Sequence, residues 1–262
     1  MNKYPIGIFD SGVGGLTVFS EIVKELPRED VVYLGDTARL PYGTKSKETI
    51  IEYSKQCVRF LIAKEVKLIV VACGTASSQA VENIKEIYSI PVTGIIKPTI
   101  ENLNFEKDKK VGVIATAGTI RSNAWEEEIK NKKDVKIISR ACPILVSLAE
   151  EGWTGNDIAK ATVSKYMEPF KGNNVDKLIL GCTHFPLFKS LIEEELGKKV
   201  DIIDTGKEVA KSIKKLLKEK EMENDELNIG EHKFFLTDTS KNFITVAERL
   251  LGKKIEAEKV RI

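Results

Sequence analysis

Short apolar runs alternate along the chain with longer segments in which apolar residues recur every three or four positions. The short runs are rich in Val and Ile and are bounded by Gly, Pro or charge, which is typical of strands buried in a parallel sheet. They lie at 6–9, 31–34, 68–72, 91–95, 111–115, 135–139, 177–181, 201–203 and 233–237. The longer segments predict helices at 16–26, 47–64, 75–88, 157–170, 207–221 and 241–251. This alternation predicts an α/β fold built from βαβ units.

One pattern occurs twice along the chain. Residues 6–18 (IGIFDSGVGGLTV) and 111–123 (VGVIATAGTIRSN) are each an apolar strand with Gly in second position, followed by a turn of small and polar residues. A cysteine follows a later apolar run in each half, at Cys73 and at Cys182. An internal repeat of about one domain explains both coincidences. We therefore predict two similar, doubly wound, mainly parallel-sheet domains that face each other across a cleft with pseudo-symmetry, comprising 1–96 with 206–262, and 97–205.

Length and charge narrow the possible partners. The chain has 262 residues, enough for two modest domains, and 41 basic against 39 acidic residues leave a formal net charge of +2. Such a balance does not favour a phosphate-neutralising surface, so no nucleic-acid partner is expected. No run approaches the roughly 18 apolar residues of a membrane span, and the start lacks the features of a signal peptide. We expect a cytoplasmic protein that has no membrane association.

The four cysteines fall into two groups. All are spaced too widely for a local zinc cluster, so we expect no metal site, and a cytosolic chain of this size does not need disulfides. Cys73 and Cys182 each follow a predicted strand, where ligands bind in open α/β sheets and where a following helix favours the thiolate. Cys57 lies on an apolar helix stripe and is predicted to pack in the core, and Cys142 is also predicted to be structural.

Two further polar residues are candidates for the same site. His184 lies two residues after Cys182, close enough in sequence to exchange protons with its thiol or to help hold a thiolate. Asp10 opens the glycine-rich stretch DSGVGG, which lacks the G-x-G-x-x-G spacing of dinucleotide loops. A carboxylate there would repel a pyrophosphate and attract an ammonium group, although Asp10 as a simple helix cap remains an alternative.

Three kinds of chemistry are open to this pair of cysteines. Cysteine–histidine nucleophilic catalysis would use only one of them. Redox chemistry would use both, but a disulfide needs Cα atoms within about 7 Å, and no C-x-x-C motif is present. Two thiols on opposite walls of a cleft are best suited to moving protons at one carbon from two faces.

Six motifs together resemble those of the cofactor-independent aspartate/glutamate racemase superfamily, and within it the glutamate racemases. They occur in family order over nearly the whole chain: IGIFDSGVGGLTV (6–18), YLGDTARLPYG (33–43), VACGTAS (71–77), IATAGTIRS (114–122), CPILVSLAEEG (142–152) and LGCTHFPLF (180–188). The resemblance implies interconversion of L- and D-glutamate without pyridoxal phosphate, other cofactor or metal. It also implies that the product D-glutamate supplies peptidoglycan synthesis, and that the protein is a homodimer.

The resemblance also implies roles for individual residues. Cys73 and Cys182 would be the two acid/base groups, Cys73 acting on D-glutamate and Cys182 on L-glutamate. Three residues would assist them: Asp10, Glu150 and His184. Glu151 would replace Glu150 if the alignment slips by one position. The residues that would hold the substrate are Asp10, Ser11, Tyr42, Gly43, Gly74, Thr75, Thr116, Thr119, Thr183 and His184.

The sequence departs from the family pattern at one position. The family normally reads Cys-Asn-Thr, whereas this chain reads Cys73-Gly74-Thr75. Gly74 offers only its backbone N–H, so we expect a water molecule to fill the gap and substrate binding to be weaker. Two alternatives remain open from sequence alone: a racemase of aspartate or a related amino acid, and a catalytically idle amino-acid-binding module.

Overall fold

The computed structural model describes residues 3–106, 109–132, 134–224, 226, 228–239 and 241–262. The residues of the predicted domains outside these ranges are 1, 2, 107, 108, 133, 225, 227 and 240. The strands are β1 (Ile6–Asp10), β2 (Val31–Gly35), β3 (Leu68–Val71), β4 (Val92–Thr93), β5 (Lys110–Ala115), β6 (Lys136–Ala141), β7 (Lys177–Leu180), β8 (Asp201–Asp204), β9 (His232–Leu236) and β10 (Ala257–Lys259).

The helices connect these strands and cover the sheets. They are α1 (Gly15–Glu25), α2 (Lys47–Ala63), α3 (Gly74–Gln79), α4 (Val81–Ile87), α5 (Ile96–Asn102), α6 (Ala117–Arg121), α7 (Ala124–Lys132), α8 (Pro143–Glu150), α9 (Asp157–Asn173), α10 (Lys189–Leu196), α11 (Thr205–Glu219) and α12 (Lys241–Leu251). None of the helices in the described part of the chain is long and apolar enough to cross a membrane.

The strands form two separate sheets in which every pairing is parallel. One has the order β10-β9-β2-β1-β3-β4 and the other the order β6-β5-β7-β8. The second sheet and the consecutive strands β2-β1-β3-β4 of the first share one topology, with β5 to β8 in the places of β1 to β4. The two parallel sheets confirm the predicted α/β class. Their matching strand order corresponds to the internal repeat in the sequence.

The strands are continuous apolar runs in the sequence because they are buried in the structure. All five residues of β1 are buried, as expected for a parallel strand covered on both faces. On α1 the buried residues Leu16, Phe19 and Ile22 recur at helical spacing, and each contributes about 1.5–3 kcal/mol through burial. Helix α11 packs against α1, so the chain returns to the first sheet after completing the second.

The structure departs from the predicted elements in several places. The predicted helix 75–88 is two helices, because Ala80 between α3 and α4 leaves the helical conformation (φ −120°, ψ −21°). Helices α5, α6, α7, α8 and α10 and strand β10 have no counterpart among the predicted elements.

This topology decides where a ligand site can form. In each sheet the strand order reverses between the first and third strand of the repeat, and ligands bind beyond the carboxyl ends of strands at such a switch point. The loops after β1 and β3 therefore face those after β5 and β7.

Candidate active site

Cys73 sits at the switch point of the first sheet. Strand β3 ends two residues before it, and α3 begins at the next residue. The side chain is buried, and its Sγ lies 3.6 Å from Ser11 Oγ, in the loop after β1. Burial, reinforced by the negative charge of Asp10, raises the pKa of the Cys73 thiol to about 12. Cys73 is therefore a protonated thiol at neutral pH.

Cys182 occupies the equivalent position after β7 and has a different environment. Its Sγ lies 3.6 Å from Nδ1 of His184, whose Nε2 lies 2.6 Å from Oε1 of Glu150. Burial of His184 opposes the charged imidazolium, but its contacts with Cys182 and Glu150 outweigh burial and raise the pKa of His184 well above its usual value. The protonated ring donates one N–H to Glu150 and directs the other at the sulfur of Cys182.

Asp10, the last residue of β1, contacts the other half of the chain. Its Oδ1 accepts the Gly12 N–H at 2.9 Å, and its Oδ2 accepts the hydroxyl of Thr183 at 3.2 Å. The carboxyl group is almost fully buried, and this burial raises the pKa of Asp10 to about 6, although the charge of His184 acts in the opposite direction. A carboxyl group that titrates near neutral pH is suited to hold an ammonium group or to share a proton.

The raised pKa of Asp10 predicts a pH-dependent stability. Because the folded pKa lies above the ordinary value of 3.8, the contribution of Asp10 to stability is fully present below about pH 4 and is lost as pH rises through about 6. Asp10→Asn removes this effect. The free energy of unfolding of the variant, measured relative to that of the wild type, should therefore be about 3 kcal/mol higher at pH 8 than at pH 4. Denaturant titrations at both pH values measure this difference.

The control for this prediction is Asp134→Asn, at an exposed position. We expect its stability relative to the wild type to change little between the two pH values. If the stability of Asp10→Asn relative to the wild type did not depend on pH, the raised pKa of the buried Asp10 carboxyl group would be contradicted.

Three threonines from both halves meet beside the thiols. Thr75 Oγ1 lies 2.8 Å from Thr116 Oγ1, which lies 2.9 Å from Thr119 Oγ1. All three are buried. Thr75 follows Cys73 by two residues at the start of α3, whereas Thr116 and Thr119 begin α6 in the other half. We call this set the threonine cluster; its hydroxyls are suited to hold carboxylate oxygens.

The hydroxyl group of Tyr42, a predicted substrate contact, is hydrogen-bonded within the protein. That hydroxyl donates to the buried Asp36, which also accepts from Arg39 Nε at 2.6 Å and from Thr237 Oγ1 at 2.9 Å. Burial and the Asp36 charge help to raise the pKa of Tyr42 well above its usual value. Asp36 thus fixes the segment in which Gly43, the next residue, packs against Thr116.

Gly74 and Gly14 allow close backbone approaches around the two thiols. A Cβ at Gly14 would lie 2.6 Å from Thr183 Oγ1 and 2.7 Å from His184 Nδ1. A Cβ at Gly74 would lie 2.3 Å from the carbonyl oxygen of Gly181, the residue before Cys182. The expectation of a water-filled gap beside Gly74 is therefore wrong for this structure, because the Gly181 backbone occupies the direction in which a side chain would project.

The remaining candidate residues lie outside this cleft. Glu151 is exposed and accepts from Asn242 Nδ2 at 3.2 Å, so Glu150 and not Glu151 contacts His184. Cys57 is buried with its Sγ 3.9 Å from the Tyr42 hydroxyl. Cys142 is buried, and its Sγ lies 3.7 Å from the carbonyl oxygen of Arg140. In the described part of the chain, no group of three or more His, Cys, Asp and Glu side chains could hold a metal ion.

The structure adds three residues that the motif analysis does not single out. Tyr33 donates to the Gly12 carbonyl at 2.7 Å, and Thr17 donates to the Thr183 carbonyl at 2.9 Å. Gln79 Nε2 donates to the Gly118 carbonyl at 3.1 Å across the two halves. The sequence does indicate a role for Tyr33, because a tyrosine hydroxyl in a buried strand usually has a hydrogen-bond partner. The other two are ordinary polar helix residues.

The chain resembles known proteins over nearly all of its length. Residues 6–213 match the model of the Asp/Glu/Hydantoin racemase family. A glutamate racemase of Geobacter metallireducens is 46% identical over 252 residues, covering 95% of this chain and 93% of that protein. The crystal structure of a glutamate racemase isoform from Bacillus anthracis has a TM-score of 0.95 at 39% identity, covering 100% of this chain and 99% of that one. The Francisella tularensis glutamate racemase, solved in complex with D-glutamate, has a TM-score of 0.91 at 38% identity, covering 100% and 98%.

Proposed function

Because this chain belongs to the Asp/Glu/Hydantoin racemase family, we propose that its two buried thiols interconvert L- and D-glutamate by moving one proton on each face of the α-carbon. The enzyme is an isomerase of the glutamate racemase type, like its relatives of nearly equal length. The observation that carries the mechanism is the equivalence of Cys73 and Cys182, which follow corresponding strands of two facing repeats.

The different environments of the two thiols suit the two halves of the reaction. In the L-to-D direction, the Cys182 thiolate beside the His184 imidazolium takes the α-proton, so that the C–H bond breaks and an S–H bond forms. The thiol of Cys73 then gives its proton to the opposite face of the carbanion, leaving a thiolate at Cys73. The reverse reaction exchanges these roles, and no oxidant or electron acceptor is needed.

The α-proton of an amino acid is far less acidic than a thiol, so the site must stabilise negative charge at the α-carbon. The threonine cluster and the backbone N–H groups of the loops bind the carboxylates, while Asp10 attracts the ammonium group. Donors fixed in a cleft that excludes water stabilise the developing charge more strongly than water does. Closure of the two halves supplies this exclusion.

The direct test is incubation with L-glutamate in D₂O without any added cofactor. We expect optical activity and the α-proton NMR signal to be lost, with deuterium entering the D product first. If aspartate reacts and glutamate does not, the two-thiol mechanism stands and the proposed substrate is wrong. If neither reacts, an idle binding module becomes the better description.

The role of Glu150 can be tested through His184. Glu150→Gln keeps a hydrogen-bond acceptor but removes the charge that helps to raise the pKa of His184. We expect kcat/KM to fall about tenfold or more, because a less protonated ring holds the Cys182 thiolate less well. The α-deuterium isotope effect should rise with L-glutamate, whose proton Cys182 removes, and stay nearly unchanged with D-glutamate.

Glu151→Gln is the matched control, since the adjacent carboxylate is exposed and contacts Asn242. Its kinetic constants should equal those of the wild type. Equal losses in the two variants would show that the contact between Glu150 and His184 is not the cause.

We further propose that the enzyme acts in the cytoplasm, supplies D-glutamate to peptidoglycan synthesis and forms a homodimer. Two-fold symmetric dimers are the commonest soluble oligomers. Light scattering on the purified protein distinguishes one chain from two. Rescue of a D-glutamate-requiring bacterium by the expressed chain tests its cellular role.

A further inference from the structure

A surface cavity of about 550 Å³ opens where the two halves meet, next to the threonine cluster. Its inner side includes Gln79 from α3 and Gly118 from α6, which are joined by the hydrogen bond described above. Gly118 also packs against Thr75. The cavity is therefore separated from the threonine cluster by about one layer of residues.

The charged side chains around this cavity are mainly cationic. Lys45, Lys47 and Arg121 line it together with one carboxylate, Glu127. None of the three cations forms an ion pair with a residue that the structure describes, although other lysines at cavity walls do. In two neighbouring cavities, for example, Lys97 pairs with Glu82, and Lys215 pairs with Glu219. The excess positive charge of this cavity is thus not neutralised by the protein itself.

The position of the two lysines is unfavourable for the helix that carries them. Ser46 caps the 17-residue helix α2, and Lys45 and Lys47 flank this cap. Cations at a helix N-terminus are disfavoured by the helix dipole, and Glu48 in the first turn offsets only part of this charge. Charges that oppose local stability are expected mainly where they serve a function.

We propose that this cavity is the entrance to the cleft and that Lys45, Lys47 and Arg121 attract the carboxylates of the incoming amino dicarboxylate. This inference rests on the proposed function, since glutamate carries a net negative charge at neutral pH. A mouth with an excess of unpaired positive charge raises the local concentration of a negatively charged substrate and its rate of association. Opening of the Gln79–Gly118 bond then admits the substrate to the threonine cluster.

The test compares two triple variants with the same change in net charge. The entrance variant combines Lys45→Ser, Lys47→Ser and Arg121→Ser. The control combines Lys218→Ser, Lys220→Ser and Lys254→Ser, at exposed positions for which no ion pair is found in the described chain. Racemisation of glutamate is measured for both variants and the wild type at ionic strengths from about 0.01 M to about 1 M, where the screening length falls from about 30 Å to about 3 Å.

We expect the entrance variant to lose about tenfold in kcat/KM at low ionic strength, with kcat unchanged and Tm unchanged or higher. The loss should vanish at high ionic strength, and the control should follow the wild type throughout. Identical behaviour of the two triple variants, or a loss of kcat that persists at high salt, would overturn the inference. A wild type that does not racemise glutamate would instead refute the proposed function, so the two failures are distinguishable.

Discussion

Replacing either Cys73 or Cys182 by serine should reduce kcat/KM for glutamate racemisation by about 10³-fold or more. Each thiol is the base in one direction and the acid in the other, general acid–base groups contribute about 10²–10⁴-fold, and a serine hydroxyl ionises far less readily than a thiol. Because L- and D-glutamate have equal free energies in water, kcat/KM falls by the same factor in both directions. Polarimetry with either enantiomer measures the loss.

Proton exchange separates the two variants from each other. In Cys73→Ser, residual exchange of the α-proton with D₂O should persist mainly with L-glutamate, because Cys182 remains. In Cys182→Ser it should persist mainly with D-glutamate.

The other buried cysteines provide the controls for this experiment. Cys57→Ser and Cys142→Ser make the same chemical change outside the cleft and should keep the wild-type kinetics where they fold. If the variants at Cys73 and Cys182 also kept most of the rate, the two-thiol mechanism would be wrong.

Gly74→Ala should reduce kcat/KM by about 100-fold. The new Cβ would lie 2.3 Å from the Gly181 carbonyl oxygen, a distance that real Cβ atoms essentially never show, and the obstacle is backbone rather than a movable side chain. The segments carrying the two thiols must therefore move apart, and a misplacement of about 1 Å costs about 10²-fold in rate. Steady-state kinetics together with a crystal structure of the variant test this expectation.

Gly74→Asn should be at least as harmful as the alanine variant. This reverses the sequence-based expectation that an asparagine, as in the family, would improve substrate binding. Gly155→Ala is the control, because a Cβ there meets no atom within 4 Å and the kinetics should not change. An unchanged kcat/KM in Gly74→Ala would show that the two loops do not need this spacing.

Most of the sheet structure follows from the sequence because parallel strands are buried on both faces. Strands such as β1 and β5 are continuous apolar runs, which distinguishes them from helices and loops. Strand β10 was not predictable in this way, because it is a three-residue edge strand with two exposed charged residues. The break at Ala80 likewise has no Gly or Pro to indicate it.

The candidate site is predictable in its residues but not in its contacts. The repeat places Cys73 and Cys182 at equivalent positions after β3 and β7. His184 is predictable as a site residue because it lies two residues after Cys182. The Tyr42 hydroxyl, however, is held by Asp36, and the space beside Gly74 is taken by Gly181. Both outcomes depend on how the two halves and their loops pack, which no local pattern records.

The order of the strands in the first sheet has a consequence for synthesis of the chain on the ribosome. Strands β5 to β8 are contiguous in sequence, so the second sheet can assemble before β9 and β10 leave the ribosome. The first sheet receives β9 beside β2 only at the end, and with it Thr237, the partner of Asp36. The loop that carries Tyr42 and Gly43 is therefore among the last parts of the cleft to be secured, and a nascent chain should acquire activity only after its C-terminal segment is free.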